Sequence, residues 1–286
     1  EFAEEDGHDP KQLAQSQHYA DIAASIQRVT EELLLVLARQ LYEETKLPRL
    51  CLAGGVAYNS AANGRILRET PFTDLYVQPA AGDSGGAVGA ALYVYHVALQ
   101  RPRAFVMEHA YWGKQFSEDE IRRAIQRQGL SAVEFDNVET LLKETAQRLV
   151  QGQVIGWYQG RCEWGPRALG NRSILADPRQ QQMKAIVNRK IKFREPFRPF
   201  APSILDRRVQ EFVEYPDGKS LSPATFMLAV CPIRPEKREV IPAVTHVDGT
   251  GRLQVVERAT NPRYYGLIEA FEGETGVPVV TVLFSV

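Results

Sequence analysis

Leu50-Cys-Leu-Ala-Gly-Gly55 reads as a short buried strand that ends in two glycines and turns into a helix from about Asn59 to Arg68. The same unit recurs. Leu75-Tyr-Val77 is the next strand, Pro79-Ala-Ala-Gly-Asp-Ser-Gly-Gly86 turns the chain, and a small-residue helix follows from Ala87 to Leu99. Two strand–glycine turn–helix units in succession imply an α/β fold, with a mostly parallel sheet in this layer. Upstream, residues 1–17 are polar and patternless, and Asp9-Pro10 disfavours helix. From Tyr19 to Lys46 the spacing predicts one helix, because Ile22, Ile26, Val29, Leu33, Leu37 and Leu41 recur at three- and four-residue steps until Pro48.

Downstream, the pattern lapses between Gln100 and Gly113, with Pro102 breaking it. That divides the chain into residues 1–100, a linker over 101–115, and a second domain over 116–286. Ser117 with Glu120 three residues on is a helix start, and Ile121, Ala124 and Ile125 form that helix's inner face. A strand (Ala132 to Phe135), a helix (Val138 to Val150) and a strand (Val154 to Tyr158) are expected next. Later strands are expected at Phe226 to Cys231, Leu253 to Val256 and Val277 to Val282, with a helix near Arg263 to Glu274.

The bulk composition narrows the function. A length of 286 residues suits two domains, and a net charge of −1 argues against coating DNA or an anionic membrane. Cys51, Cys162 and Cys231 are few, scattered and odd in number, which fits a reducing compartment, and no CxxC pair offers a zinc-thiolate site. No apolar run reaches the roughly 18 residues needed to span a bilayer. With no signal peptide at its start, the chain reads as cytoplasmic.

Against that near-neutral background one region is basic. Arg161, Arg167, Arg172 and Arg179 stand among glycines and a proline, and Lys190, Lys192, Arg194 and Arg198 follow. Between Arg161 and Arg198 the only acids are Glu163, Asp177 and Glu195. Clustered cations repel one another, so a preorganised set awaits an anion. Gly165-Pro166 fixes the backbone just ahead of Arg167, and Lys192 and Arg198 lie in a proline-bounded segment that can close over the same phosphate-bearing ligand. A solvated basic face is the plainer alternative, and Glu163 and Glu195 are read as salt-bridge partners of these cations.

Three turns add polar groups. Gly54 and Gly55 free backbone N–H groups at a helix start for an anion, or simply make the turn, and Asn59 adds an amide. Asp83, at the carboxyl end of a strand, is either a helix N-cap or a metal- or phosphate-handling carboxylate. His246-Val-Asp-Gly-Thr250 carries the Asp-Gly signal of a tight turn, with His246 and Arg252 able to face an anion. The five histidines are too dispersed for a metal set.

The motifs stand in a distinctive order. They are Leu52-Ala-Gly-Gly-Val-Ala-Tyr-Asn-Ser60, Pro79-Ala-Ala-Gly-Asp-Ser-Gly-Gly86, Glu163-Trp-Gly-Pro-Arg-Ala-Leu-Gly-Asn-Arg-Ser173, Arg194-Glu-Pro-Phe-Arg-Pro-Phe-Ala-Pro202 and His246-Val-Asp-Gly-Thr250. From about Tyr19 onward the chain resembles the O-carbamoyltransferases of the NodU/CmcH type. The resemblance implies the end of an actin-like, sugar-kinase-like transfer domain followed by a YrdC-like domain. It further implies that the YrdC-like domain makes carbamoyl adenylate from carbamoyl phosphate and ATP. The transfer domain then moves the carbamoyl group onto a hydroxyl of a small-molecule acceptor such as a sugar, antibiotic or nodulation factor.

By the same resemblance Arg167, Lys192 and Arg198 are catalytic. Asn171, Arg172, Ser173, Arg194, His246, Arg252, Gly54, Gly55 and Asn59 bind substrate or nucleotide, and Asp83 is a metal ligand. The implied metal is iron, with magnesium accompanying ATP. The family's His-x-x-x-His motif and its Asn-Thr-Ser-Phe-Asn ending have no counterpart here. The chain is therefore expected to be a carboxyl-proximal part that activates the carbamoyl group without completing its transfer. Rival readings are an RNA-binding or tRNA threonylcarbamoylation-related module, which the net charge disfavours, and a catalytically incomplete regulatory remnant.

Overall fold

A computed structural model describes residues 10–192 and 199–284. Helix α1 spans Pro10–Thr45, strand β1 Arg49–Leu52, helix α2 Ser60–Glu69 and strand β2 Asp74–Val77, with helix α3 at Gly86–Tyr93. β1 and β2 pair in parallel, Leu50 opposite Leu75, as the repeated strand–turn–helix unit requires. α3 runs on into wider turns over Val94–Ala98. The helix expected from Tyr19 instead begins at Pro10. Proline is tolerated at a first helical position, where its missing N–H would have had no intrahelical partner.

α1 packs on α2, adds Leu34, Leu35, Ala38 and Tyr42 to the apolar cluster, and is pinned by Arg65, which reaches Glu31, Glu32 and Glu69 at 3.1, 3.0 and 2.7 Å. The periodic stripe that marks α1 as a helix faces outward instead: Ile26, Leu33 and Leu37 are each about 60% exposed.

The remaining elements are helices α4 (Glu118–Arg127) and α5 (Val138–Val150), strands β3 (Ile155–Tyr158) and β4 (Arg172–Ala176), helix α6 (Met183–Val187) and strand β5 (Ala201–Leu205). Short helices α7 (Val209–Phe212) and α8 (Ser222–Thr225), strand β6 (Ala229–Pro232), short helix α9 (Pro235–Arg238), strand β7 (Thr250–Val256), helix α10 (Pro262–Thr275) and strand β8 (Val279–Phe284) complete it.

Six strands form one mixed sheet in the order β3-β4-β8-β5-β7-β6, in which only β5 and β7 are parallel. The architecture is therefore α/β, and the parallel pattern of β1 and β2 does not extend to the larger sheet. α5 and α10 pack against each other, and α10 covers strands β5 and β8.

Ser117 and Glu120 form the expected reciprocal cap on α4. Ile121, Ala124 and Ile125 are not in the core, however. They line an open groove with Phe116, Leu130 and Tyr158. Residues 132–135 form no strand: β3 is an edge strand, the segment pairs with nothing, and Val133 is exposed.

One apolar cluster runs through both sheets, from Leu35, Leu67 and Phe72 to Phe212, Tyr264 and Phe271. The seam is hydrogen-bonded. Asn63 Nδ2 donates to the Ala57 and Leu228 carbonyls at 2.8 and 2.9 Å, and Ser220 N donates to the Thr73 carbonyl at 3.0 Å. Residues 101–115 carry the buried Met107 and Ala110, and the Trp164 N–H donates to the Ala110 carbonyl. No helix among the described residues is long and apolar enough to cross a membrane, and the three cysteines are free thiols.

Candidate functional site

The loop from Glu163 to Arg172 lies between the two sheets, and two glycines let it in. A β-carbon on Gly165 (φ 130°) would lie 2.5 Å from the Pro79 carbonyl oxygen, and one on Gly170 (φ 96°) would lie 2.2 Å from the Tyr264 ring. Irregular backbone still needs acceptors for its donors. Glu163 Oε1 supplies one, taking the N–H groups of Leu169, Asn171 and Arg172 at 2.8, 2.9 and 3.3 Å. Glu163 is thus the loop's internal acceptor, and it makes no ion pair among the described residues.

Arg167 sits on this loop and points at the first half of the chain. Its Nη2 donates to the Tyr58 carbonyl at 3.2 Å and approaches Ser60 Oγ at 3.5 Å, while its buried Nε has no hydrogen-bond partner among the described residues. Burial lowers its pKa from the ordinary guanidinium value, but arginine keeps its charge at neutral pH. Beside it, Tyr58, Gly82, Asp83, Glu163, Trp164 and Gly165 line a cleft of about 390 Å³. Asp83 is exposed there, and the turn it begins is capped by Gly82 with no side-chain bond, so Asp83 is not an N-cap.

Several expected ligand-binding residues have internal partners. Gly54 N donates to the Ala81 carbonyl at 2.8 Å, which ties one glycine loop to the other, and Gly55 opens the turn Gly55–Tyr58. Asn59 caps α2 through Ala62 N at 3.1 Å and exchanges two hydrogen bonds with Gln27. Arg172 donates to the carbonyls of Gln159, Asn171 and Gly160 and lies 3.6 Å over the Tyr158 ring. Ser173 Oγ, fully buried, accepts from Gly170 N at 3.1 Å. Asn171 is buried in a group of amides with Gln159 and Asn261. Arg179 is bidentate on the buried Asp177, at 2.7 Å for the closer contact.

A second set of cations gathers at the edge of the large sheet where β5 and β7 begin. The turn at His246 closes as its sequence predicts: His246 N donates to the Thr250 carbonyl at 2.8 Å, and Asp248 Oδ1 accepts from Thr250 N and Oγ1 at 3.0 and 2.7 Å. His246 Nδ1 lies 3.1 Å from Thr250 Oγ1. Burial lowers the imidazole's pKa from its ordinary value. Asp248 opposes that shift, and the positive charges of Arg252 and Lys184 add to it. Burial also lowers the Lys184 ammonium.

The structure thus brings His246 and Arg252 together and adds Lys184 on α6, which the sequence reading missed. Lys192 ends the wide turns Asn188–Lys192 that continue α6. Its side chain, with Arg194, Glu195 and Arg198, lies outside the described residues. The Arg167 loop forms a separate feature at the seam.

Asp83 stands alone as a candidate metal ligand among the described residues. It is a single exposed carboxylate, and no group of three or more His, Cys, Asp or Glu among the described residues could hold an ion.

Residues 2–92 match the carbamoyltransferase N-terminus, and residues 146–282 match the carbamoyltransferase C-terminus. Nodulation protein NolNO of Sinorhizobium fredii is 43% identical, over 93% of this chain and 39% of its own length. Nodulation protein NolO of Bradyrhizobium diazoefficiens is 42% identical over 93% of this chain and 48% of its own. An uncharacterized protein of Synechocystis is 44% identical over 93% and 46%. The chain therefore spans less than half the length of these curated relatives. With both parts of the family's pattern in order on one chain, the protein belongs to the carbamoyltransferase family.

Proposed function

We propose that this chain activates carbamoyl phosphate with ATP for carbamoyl transfer to a hydroxyl of a small-molecule acceptor. Residues 1–100 would be part of an actin-like transfer domain and residues 116–286 a YrdC-like activation domain. The observation that carries the reading is that Lys184 on α6 and Arg252 on β7 both lie close enough to His246 for their charges to act on its imidazole, with Lys192 ending the turns that continue α6. Two polyanions must be held together for the reaction, and fixed positive charge supplies that.

In the proposed sequence, water cleaves carbamoyl phosphate to carbamate and phosphate. A carbamate oxygen then attacks the α-phosphorus of ATP, the bond to the β-phosphate breaks, and pyrophosphate leaves. The role of Lys184, Lys192, Arg198 and Arg252 is to neutralise the phosphates. Arg167 is bonded to the carbonyl of Tyr58, a lining residue of the cleft that holds Asp83, and its role is to receive the activated carbamoyl group out of bulk water.

The test is pyrophosphate release that requires both carbamoyl phosphate and ATP. Release by the intact chain, and its loss in Lys184→Ala and Lys192→Ala variants that melt normally, supports the reading. Release indifferent to carbamoyl phosphate, or none above a protein-free control, overturns it.

A further inference from the structure

Helix α1 carries two apolar faces, and the structure covers only one. Leu35 and Ala38 are buried in the core, whereas Ile26 stands about two and a half turns before Leu35, on the opposite side of the helix. That outer side is a continuous stripe. Tyr19, Ile22, Ile26, Val29, Leu33 and Val36 alternate at three- and four-residue steps, the spacing of a coiled-coil seam, and each is between 44% and 63% exposed. We propose that this stripe is an interface for a second copy of the chain, with the two α1 helices antiparallel about a two-fold axis between Ile26 and Val29.

The stripe is more than a scatter of surface residues. From Ser16 to Ile26 every residue is exposed, so this half of α1 projects for roughly 16 Å without a buried or half-buried side chain. Helices in proteins draw most of their stability from packing an apolar face, and a lone segment of this length is marginal in water. Leu37 and Leu41, also exposed, widen the stripe toward the other end of the helix. At these exposures the eight side chains present on the order of 800 Å² per copy, one partner's share of a standard interface and more than the largest apolar patch of a typical monomer.

The surroundings of the stripe suit a copy of itself. Ala23, Ser25 and Thr30 flank the seam and are small and uncharged. The Ser25 and Thr30 hydroxyls already donate to the Asp21 and Ile26 carbonyls at 2.7 and 2.8 Å, so covering them strands no donor. Glu32, the charged residue beside Leu33, is paired within its own chain to Arg28 and Arg65. A net charge of −1 per chain gives two copies little mutual repulsion. Antiparallel pairing sets Ile26 against Val29, Ile22 against Leu33 and Tyr19 against Val36. The projecting half of each helix then lies on the half of the other that is packed on its own body, and one closed interface covers both stripes. In a parallel pair the projecting halves would meet only each other.

Sedimentation velocity and light scattering of the whole chain, from about 1 to about 100 µM, read the interface. A dimer is expected, and Ile26→Glu, which sets two carboxylates near the axis, weakens it at least about 100-fold. Ile26 is exposed in the single chain, so this substitution leaves the fold intact, which circular dichroism verifies. Tyr93→Glu, on the exposed surface of α3, leaves the dimer unchanged. Orientation is read with a short bismaleimide in a Cys51→Ser, Cys162→Ser background. Ile26→Cys cross-links to its own copy, and Tyr19→Cys, roughly 25 Å from its counterpart, does not. A monomer throughout, which leaves the stripe to an unlike partner, overturns the proposal. So does association without fixed stoichiometry, or a dimer that survives Ile26→Glu. Cross-linking at both positions, or at neither, overturns the antiparallel arrangement.

Discussion

Gly64 of α2 approaches the carbonyl of Val230 in β6 so closely that a β-carbon on the glycine would lie 2.0 Å from the carbonyl oxygen. Arg68 Nη1 donates to that same oxygen at 2.9 Å, so the contact is locked from a second side. Gly64→Ala must therefore move backbone, not a flexible tip. The expected loss is about 1–3 kcal/mol, read as a lower melting temperature, with the two halves of the chain loosened from each other. Gly273 in α10 is the control, because a β-carbon there meets nothing within 4 Å. Gly273→Ala is expected to stabilise by about 0.4–1 kcal/mol. Equal effects from the two substitutions would mean that helix propensity, not the seam, sets the outcome.

Glu163 holds the Arg167 loop by accepting three backbone N–H groups on one carboxylate oxygen. Glu163→Gln keeps the shape but removes the charge, and an amide rotated the wrong way offers its NH₂ to those donors. A loss of about 1–3 kcal/mol in local stability is expected. Hydrogen exchange at Leu169 and Asn171 should accelerate well before the rest of the sheet opens. Unchanged exchange at those two amides would remove Glu163 from this role.

What could be read in advance was what depends on near neighbours. The Ser117–Glu120 cap, the β1 and β2 turns and the His246–Thr250 turn each rest on residues a few positions apart. β4 and β5 escaped notice because an arginine or prolines break their apolar pattern. They are strands because β8, far along the chain, pairs with both. Residues 132–135 have strand-like composition but find no partner, so propensity alone did not decide. Lys184 looked like an ordinary helix residue, since its significance comes from His246 and Arg252, which the fold brings to it. The backbone-acceptor role of Glu163 is not legible in sequence, which shows charges but not the backbone donors an irregular loop exposes.

Asn261 joins a helix cap to the buried amides of Gln159 and Asn171. Its Oδ1 accepts from Tyr264 N at 3.3 Å and from Gln159 at 2.7 Å. Asn261→Ala removes the cap of α10 and strands buried donors and acceptors, so a loss of at least about 2 kcal/mol is expected in denaturant unfolding. Asn261→Asp keeps the capping oxygen and loses the donors to Tyr111 and Asn171, and should fall between. If aspartate were as damaging as alanine, the cap would contribute nothing measurable.

The His246 imidazole gives stability a pH dependence whose sign is fixed by its surroundings. Burial holds its pKa below the ordinary value of 6.5. Asp248 and the bond at Phe200 oppose that, while Arg252 and Lys184 push the same way as burial. The unfolded chain therefore takes up the proton first as pH falls. The histidine's contribution is complete above about pH 6.5 and declines below it, until the depressed folded value is reached. Melting temperatures between about pH 5 and about pH 8 should show that decline, and His246→Gln should flatten it relative to the parent chain. An anion bound among Lys184, His246 and Arg252 reverses the balance, because its charge favours the imidazolium. Binding of inorganic phosphate should then draw a proton from solution, measurable as a binding enthalpy that changes with the buffer's ionisation enthalpy, beyond what phosphate's own titration supplies. That excess should vanish in His246→Gln. If it persists there, the proton belongs to another group and His246 does not face the anion.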